Sequence, residues 1–107
     1  MGEQLRPMKL KEARKLFRAI FSAVDIIAFE RTAHFRERQL ERGISDVDVY
    51  EVSRNGFVKK EYPPDLDHPR WRWSFCYKKV ALIFSYKGGR IVLITCWRGK
   101  EPPEGER

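Results

Sequence analysis

The final third of the chain alternates between two residue classes with a period of two, and this alternation restricts the possible folds more than any other feature. One row of the first predicted strand is aromatic, and its members are Trp71, Trp73, Phe75 and Tyr77. The other row is polar or small, and its members are Arg72, Ser74 and Cys76. Short turns at residues 78–79 and 87–90 lead to two further strands, Val80 to Tyr86 and Ile91 to Arg98. Strands joined in this way predict an antiparallel meander.

The first half of the chain has the periodicity of helices instead. Apolar residues from Met8 to Ala23 recur at spacings of three and four, which predicts an amphipathic helix. Lysines and arginines fill much of its other side, and we interpret them as a solvated face, with phosphate contact as the alternative. The run from Asp25 to Phe29 favours either a first strand or a connection laid against the core.

A second helix is bounded by its own sequence. Thr32 can cap its start through the side-chain hydroxyl, and Gly43 can end it in the left-handed conformation. His34, Arg38 and Arg42 follow one another at intervals of four, so all three lie along one face. The residues available to anchor this helix are Ala33, Leu40 and Ile44.

A third helix is predicted to begin at Ser45, because Asp48 three residues later completes a weak capping box. Its predicted apolar side consists of Val47, Tyr50 and Val52. The sequence Arg54-Asn55-Gly56 is a turn signal, after which Phe57 to Tyr62 predicts a strand and residues 63–69 a loop.

Helices followed by a meander predict an α+β domain, with the N-terminal helices packed on one face of an antiparallel sheet. We expect one domain over residues 1–100 and a flexible charged tail over residues 101–107 that neither pairs nor packs, because prolines and a glycine interrupt it. If the aromatic row faces the core, as we predict, the face that bears Arg72 is concave and partly open. If the rows are exchanged, the tryptophans form a base-stacking platform for RNA.

The composition narrows the possible partners. Basic residues outnumber acidic residues by 22 to 15, and the net charge of +7 favours a polyanion or an acidic protein as partner. No apolar run approaches the roughly 20 residues that span a bilayer, and the first residues lack the features of a secretion signal. We therefore expect a soluble, cytoplasmic protein without a membrane partner.

No motif indicates a metal or a cofactor. Cys76 and Cys96 fall within predicted strands without a second cysteine or suitably spaced histidines nearby, which predicts small buried residues rather than zinc ligands. The sequence has no His-Glu-x-x-His motif and no Gly-rich phosphate loop, and Gly88-Gly89 follows from hairpin geometry.

One fixed register of residues resembles a known family. Its residues are Thr32-x-His34, Arg38, Glu41-Arg42-Gly43-Ile44-Ser45, Gly56 and Ile94-Thr95-Cys96-Trp97. From about Ile26 to Arg98 the chain resembles small bacterial domains of unknown function that are grouped with RelE-like and MqsR-like toxins. Phe35 stands where many relatives have alanine, and Lys78-Lys79 stands where they have glycine.

The resemblance implies a fold shared with barnase and RelE. It also implies a role as the ribonuclease toxin of a toxin-antitoxin pair, with RNA as substrate and an acidic antitoxin as partner.

The residues themselves suggest how RNA could be cleaved without a metal. His34 is the candidate acid or base, because an unperturbed imidazole titrates near pH ~6.5. Arg38 and Arg42 would stabilise charge on the phosphate, and Arg72 from the sheet would be a third such group. Thr95 would orient His34 or simply occupy a strand. The second proton-transfer group stays open among Tyr77, Tyr86, Glu41 and His68, and Tyr77 is also a candidate substrate-binding residue together with Arg72 and Thr95.

A second interpretation needs no catalysis. His34 would be a hydrogen-bonded structural residue, and salt bridges with Glu37 and Glu41 would account for the arginines of a solvated helix. The two function classes are therefore an endoribonuclease and a non-catalytic module that binds RNA or an acidic protein through the same face.

Overall fold

The computed structural model describes residues 6–25, 28–99 and 102–107. Its helices are α1 (Leu10–Ala23), α2 (Ala33–Arg42) and α3 (Asp46–Asn55). Its strands are β1 (Glu30–Arg31), β2 (Phe57–Tyr62), β3 (Arg72–Tyr77), β4 (Val80–Lys87) and β5 (Arg90–Arg98). They form one sheet in the order β1-β5-β4-β3-β2, in which β1 is parallel to β5 and the other neighbours are antiparallel. The predicted α+β class is confirmed, and so is the meander.

The aromatic row of β3 faces the core beneath α1. Trp73 and Phe75 are buried, and Phe21 stacks on Phe75 with ring centroids 4.1 Å apart. Phe17 contacts Trp73 at 4.8 Å between centroids. Removing these rings from water stabilises the contact between helix and sheet. The prediction that this row is core is confirmed, which excludes the exchanged arrangement.

The predicted caps at both ends of α2 and the predicted capping box of α3 are confirmed. The Phe35 N–H donates a hydrogen bond of 3.0 Å to the Thr32 hydroxyl, and Gly43 ends α2 with a φ of 62°. Ser45 and Asp48 form the reciprocal capping box at the start of α3. Such signals can be read locally because they satisfy backbone groups that a helix end leaves unpaired.

The inward faces of α2 and α3 differ from the prediction. Leu40 is 86% exposed, whereas Phe35 and the predicted anchor Ile44 are buried. On α3 the buried apolar residues are Val49 and Val52, and the exposed ones are Val47 and Tyr50. Each helix has only 10 residues, and over this length the sequence allows more than one apolar stripe. The contact with the sheet therefore determines which stripe faces inward. No helix within the described ranges has the length and apolar character of a membrane span.

A short parallel strand follows the apolar run from Asp25 to Phe29. This run is predicted to be either a first strand or a connection laid against the core. Ile26 and Ile27 lie outside the described residues, so the structure tests this prediction only at the two ends of the run. Phe29 is buried and contacts Phe21 at 4.9 Å between ring centroids. β1 begins one residue later and pairs with β5.

The second face of the sheet is covered. Arg72, Ser74 and Thr95 on this face are each 2% exposed. Pro102 is buried, residues 104–106 form a 3₁₀ turn, and Glu106 pairs with arginines of α2. The predictions of a partly open face and of a tail that does not pack both differ from the structure, because the tail and α2 carry opposite charges that attract one another.

Candidate anion-binding site

Helix α2 is attached to β5 through its N-cap residue, Thr32. The Thr32 hydroxyl donates a hydrogen bond of 3.0 Å to the carbonyl of Ile94, while the same oxygen caps the helix. The Thr32 N–H also donates to the Leu93 carbonyl at 3.1 Å. β5 therefore determines where α2 begins.

The rotation of α2 is fixed by one buried ring and a polar cluster. Phe35 is fully buried in the core. On another side, Arg31 donates to Gln39 at 3.2 Å and to Asp46 at 2.8 Å, and Gln39 donates to the Ile44 carbonyl at 3.2 Å. These contacts leave the face with Arg38 and Arg42 directed along β5 and the tail.

Arg42 is held by three kinds of contact. Its Nη1 atom donates a hydrogen bond of 2.8 Å to the Cys96 carbonyl, and its guanidinium carbon lies 4.4 Å from the ring centroid of Trp97. Its Nη2 atom lies 2.9 Å from the Oε1 atom of Glu106. A guanidinium fixed in this way loses little further side-chain entropy when it binds an oxyanion.

Arg38 converges on the same carboxylate. Its Nε atom lies 3.4 Å from Oε1 of Glu106, the atom that Arg42 contacts. Partial burial raises the pKa of Glu106, but the hydrogen bond and charge of Arg42 and the charge of Arg38 outweigh it and lower the pKa below its ordinary value. Glu106 is therefore ionised at neutral pH, and the arginine pair forms an anion-binding site with an internal occupant.

Glu41 accounts for the other contact of Arg38. The Nη1 atom of Arg38 donates to both carboxylate oxygens of Glu41, at 2.9 and 2.8 Å. The salt bridge that the non-catalytic interpretation predicts is thus present on Arg38. It does not account for Arg42, whose side chain is only 19% exposed and contacts β5.

Arg72 reaches the tail from the sheet. Its Nη2 atom donates to the Pro63 carbonyl at 3.1 Å and to the Asp65 carboxylate at 3.4 Å, and its Nη1 atom donates to the main-chain carbonyl of Arg107. Burial lowers the pKa of the Arg72 guanidinium and Asp65 opposes that shift, but an arginine remains protonated at neutral pH. Arg72 and the arginine pair therefore contact successive residues of the same tail.

Thr95 lies on the same face of the sheet as Arg72. It pairs in register with Ile83, which also pairs with Ser74 on β3, two residues from Arg72. The Thr95 hydroxyl is buried, and no described residue hydrogen-bonds to it. A buried hydroxyl without a hydrogen bond is unfavourable and uncommon in native proteins.

His34 precedes Arg38 by one turn of α2. Its side chain is half-buried, and within the described part of the chain it makes no hydrogen bond or ion pair. The hydrogen bond that the structural interpretation of His34 requires is therefore not seen among these residues.

Tyr77 does not join the site. Positions 72 and 77 lie on opposite faces of β3, because successive residues of a strand alternate. Tyr77 instead lines a separate cavity of about 390 Å³ beside Lys78 and Arg98. The structure therefore does not bring Tyr77 together with Arg72.

The other candidates for a second proton-transfer group are also separated. Tyr86 is half-buried, with its ring centroid 5.3 Å from that of Phe17. His68 lies in the loop after β2, 3.4 Å from the Asp65 carboxylate. Of the four candidates, Glu41 is the one that contacts an arginine of the pair.

Cys96 is buried close to Arg42 but is chemically inert. Burial raises the pKa of its thiol to about 11, so the thiol stays protonated at neutral pH and is a poor nucleophile. Cys76 is half-buried, and neither cysteine forms a disulfide within the described part of the chain. Among the residues that the structure describes, no group of three or more His, Cys, Asp or Glu could hold a metal ion.

The sequence did not identify Glu106 or Tyr62 as part of the site. Glu106 belongs to a charged tail, and its only local signal is a negative charge shared by every acidic residue. Tyr62 is the last residue of β2, beside Arg72 in the register of the sheet. Its place in the site follows only from the contact with the tail, in which the Arg107 guanidinium carbon lies 5.3 Å from the centroid of the Tyr62 ring.

Fold and site together define a basic α+β domain with a paired-arginine site for an anion. The chain belongs to the family described as Domain of unknown function (DUF4258), whose model matches residues 32–98. Neither the curated proteins nor the solved structures include a significant match. The matched segment contains α2 and the sheet from β2 to β5, and it ends before Glu106.

Proposed function

We propose that this protein is an endoribonuclease that cleaves RNA without a metal ion, by attack of a 2′-hydroxyl on the adjacent phosphate. The observation that carries the proposal is the convergence of Arg38 and Arg42 on one carboxylate oxygen. A phosphodiester presents a similar anionic oxygen to such a pair. Guanidiniums also stabilise the negative charge that the phosphate gains in the transition state.

His34 and Glu41 divide the proton transfers. The Glu41 carboxylate accepts the proton of the 2′-hydroxyl as the new bond from oxygen to phosphorus forms. Protonated His34 donates its proton to the 5′-oxygen as the bond from phosphorus to that oxygen breaks. An imidazole suits this task because its ordinary pKa lies near ~6.5, close to physiological pH.

The biological role that we propose is that of a toxin whose activity a protein antitoxin restrains. The resemblance to RelE-like and MqsR-like domains supports this role, as does the net charge of +7. An acidic antitoxin segment would fit the arginine pair, because the pair already binds one carboxylate. Such a segment would block access of RNA to the same atoms.

RNA cleavage in the presence of EDTA tests the proposal. We expect products with 2′,3′-cyclic phosphate and 5′-hydroxyl ends, and we expect His34→Ala to abolish them. His68→Ala is the matched control, because it removes the other histidine of the chain at a loop that does not contact the arginine pair. Salt-sensitive RNA binding without any product would favour the non-catalytic module instead. Unchanged cleavage by His34→Ala would remove the role assigned to that residue.

A further inference from the structure

Two successive residues of the tail contact the candidate site in different ways. Glu106 places its carboxylate on Arg38 and Arg42, at 3.4 and 2.9 Å. Arg107 places its guanidinium carbon 5.3 Å from the ring centroid of Tyr62. The tail thus presents an anion and, next to it, a planar group that lies over an aromatic ring. A nucleotide can present the same two groups, because its phosphate is an anion and its base is planar.

The ring of Tyr62 is covered by the tail and by Arg72. The residue is 8% exposed, and its hydroxyl is buried with no hydrogen-bond partner among the described residues. Arg72, which pairs with Tyr62 between β2 and β3, also lies over the ring, with its guanidinium carbon 5.8 Å from the centroid.

A small cavity adjoins Tyr62. Its volume is about 210 Å³, and its wall includes Pro63, Asp65, Arg72 and Arg107. This volume is below the roughly 300–1,000 Å³ of pockets for drug-sized ligands, so it suits a single planar group. The Asp65 carboxylate and the Pro63 carbonyl supply hydrogen-bond acceptors at its edge.

We propose that Tyr62 stacks on a base of the bound RNA whose phosphate lies on Arg38 and Arg42, and that Glu106 and Arg107 occupy these two positions until RNA displaces them. The inference rests on the proposed function for the identity of the ligand, but it concerns binding alone. Aromatic side chains stack on bases of any sequence, and a guanidinium also stacks on an aromatic face. Arg107 is therefore a suitable stand-in for a base.

Competition follows from this geometry. RNA cannot reach the guanidiniums of Arg38 and Arg42 while the Glu106 carboxylate contacts both. The apparent affinity for RNA is then reduced by the fraction of molecules in which the tail occupies the site. Neutralising Glu106 should release the site without changing any residue that contacts RNA.

The affinity of an RNA that cannot be cleaved tests the competition. The probe is a fluorescein-labelled hexaribonucleotide with 2′-O-methyl groups, followed by fluorescence anisotropy. We expect Glu106→Gln to bind it about two- to fivefold more tightly than the unsubstituted protein. Glu51→Gln on α3 makes the same change of net charge at an exposed position and should leave the affinity unchanged. Equal effects of the two substitutions would overturn the proposal.

Substitutions of Tyr62 test the stacking. Tyr62→Leu should weaken binding of the same probe roughly fivefold or more, whereas Tyr62→Phe keeps the ring and should keep the affinity. Because Tyr62 is buried, thermal unfolding of both variants must show that they are folded at the assay temperature. If Tyr62→Leu does not fold, an abasic form of the same probe tests the stacking on the unsubstituted protein: it should bind roughly fivefold more weakly than the probe with bases, and equal affinity would overturn the stacking role. An unchanged affinity of folded Tyr62→Leu would overturn the stacking role.

A labelled hexaglutamate peptide separates RNA from an acidic protein as the ligand. Tighter binding of this peptide than of the oligonucleotide to Glu106→Gln would overturn the nucleotide assignment. These affinities are also independent of catalysis. If the protein cleaves RNA but neither substitution changes the affinity, this inference is overturned and the proposed endoribonuclease stands. If the affinities change as expected but no RNA is cleaved, the proposed endoribonuclease is overturned and this inference stands.

Discussion

The Nη2 atom of Arg42 lies 2.9 Å from Oε1 of Glu106, and thereby joins α2 to a tail that the matched family segment does not include. Arg42 is held in place independently of this tail, by the Cys96 carbonyl and the ring of Trp97. The guanidinium is therefore positioned for an anion whether or not Glu106 is bound.

Loss of one arginine of the pair should weaken RNA binding and lower its dependence on salt. We expect Arg42→Gln to reduce the slope of log K against log salt concentration by about 1, because one phosphate contact releases about one counterion. Arg36→Gln, at an exposed position of the same helix, is the control of equal charge and should change the slope less. Anisotropy titrations at several salt concentrations measure both slopes. Identical slopes for the two variants would place the phosphate contact elsewhere.

Phe35, rather than Leu40, should anchor α2. Phe35→Ala removes a fully buried ring and should lower the free energy of unfolding by about 3–5 kcal/mol. Leu40→Ala truncates a side chain that is 86% exposed and should change it by less than about 0.5 kcal/mol. Urea unfolding followed by circular dichroism measures both. A larger loss for Leu40→Ala would mean that the helix is rotated about its axis relative to this structure.

Arg72 should contribute to stability as well as to binding. Arg72→Met leaves the Pro63 carbonyl and the Asp65 carboxylate without their charged donor, and we expect a loss of about 1–3 kcal/mol in the free energy of unfolding. Arg70→Met makes the same change of charge at an exposed position and should have little effect. Thermal and urea unfolding report the difference. If the two variants are equally stable, the buried hydrogen bonds of Arg72 contribute nothing measurable.

Stability should fall in acid partly through Asp46. The hydrogen bonds from Arg31 and then Gln39 lower the pKa of Asp46 below its ordinary value of 3.8. A carboxylate with a lowered folded-state pKa stabilises the fold above its unfolded-state pKa, and this contribution disappears as the pH falls through the folded-state value. Asp46→Asn should therefore show a smaller loss of stability than the unsubstituted protein between pH ~6 and pH ~3 in urea unfolding. If the free energy of unfolding falls equally with pH in the two proteins, Asp46 does not contribute to the loss of stability in acid.

The sequence predicts the elements of this fold well because their signals are local. Thr32, Gly43 and the pair Ser45 and Asp48 mark helix ends through contacts within a few residues. The alternation in β3 likewise requires only its own residues, because side chains alternate between the faces of a strand whatever lies above them.

The parts that the sequence does not predict depend on contacts over long distances along the chain. The inward face of α2 is set by Phe35 and by the attachment of Thr32 to β5, and no pattern within ten residues distinguishes it from the stripe with Leu40. The closure of the second face requires Glu106 to meet Arg38 and Arg42 across more than 60 residues. Charge alone cannot select that partner, because the chain has 15 acidic residues.

The structure of the Glu106→Gln variant with the uncleavable hexaribonucleotide bound is the most direct test of the central claim, which is that Arg38 and Arg42 form a site for an RNA phosphate. We predict a phosphate oxygen within hydrogen-bond distance of both guanidiniums, at the position that the Glu106 carboxylate occupies in the unsubstituted protein. An oligonucleotide bound at another surface, with no phosphate on the arginine pair, would contradict the claim.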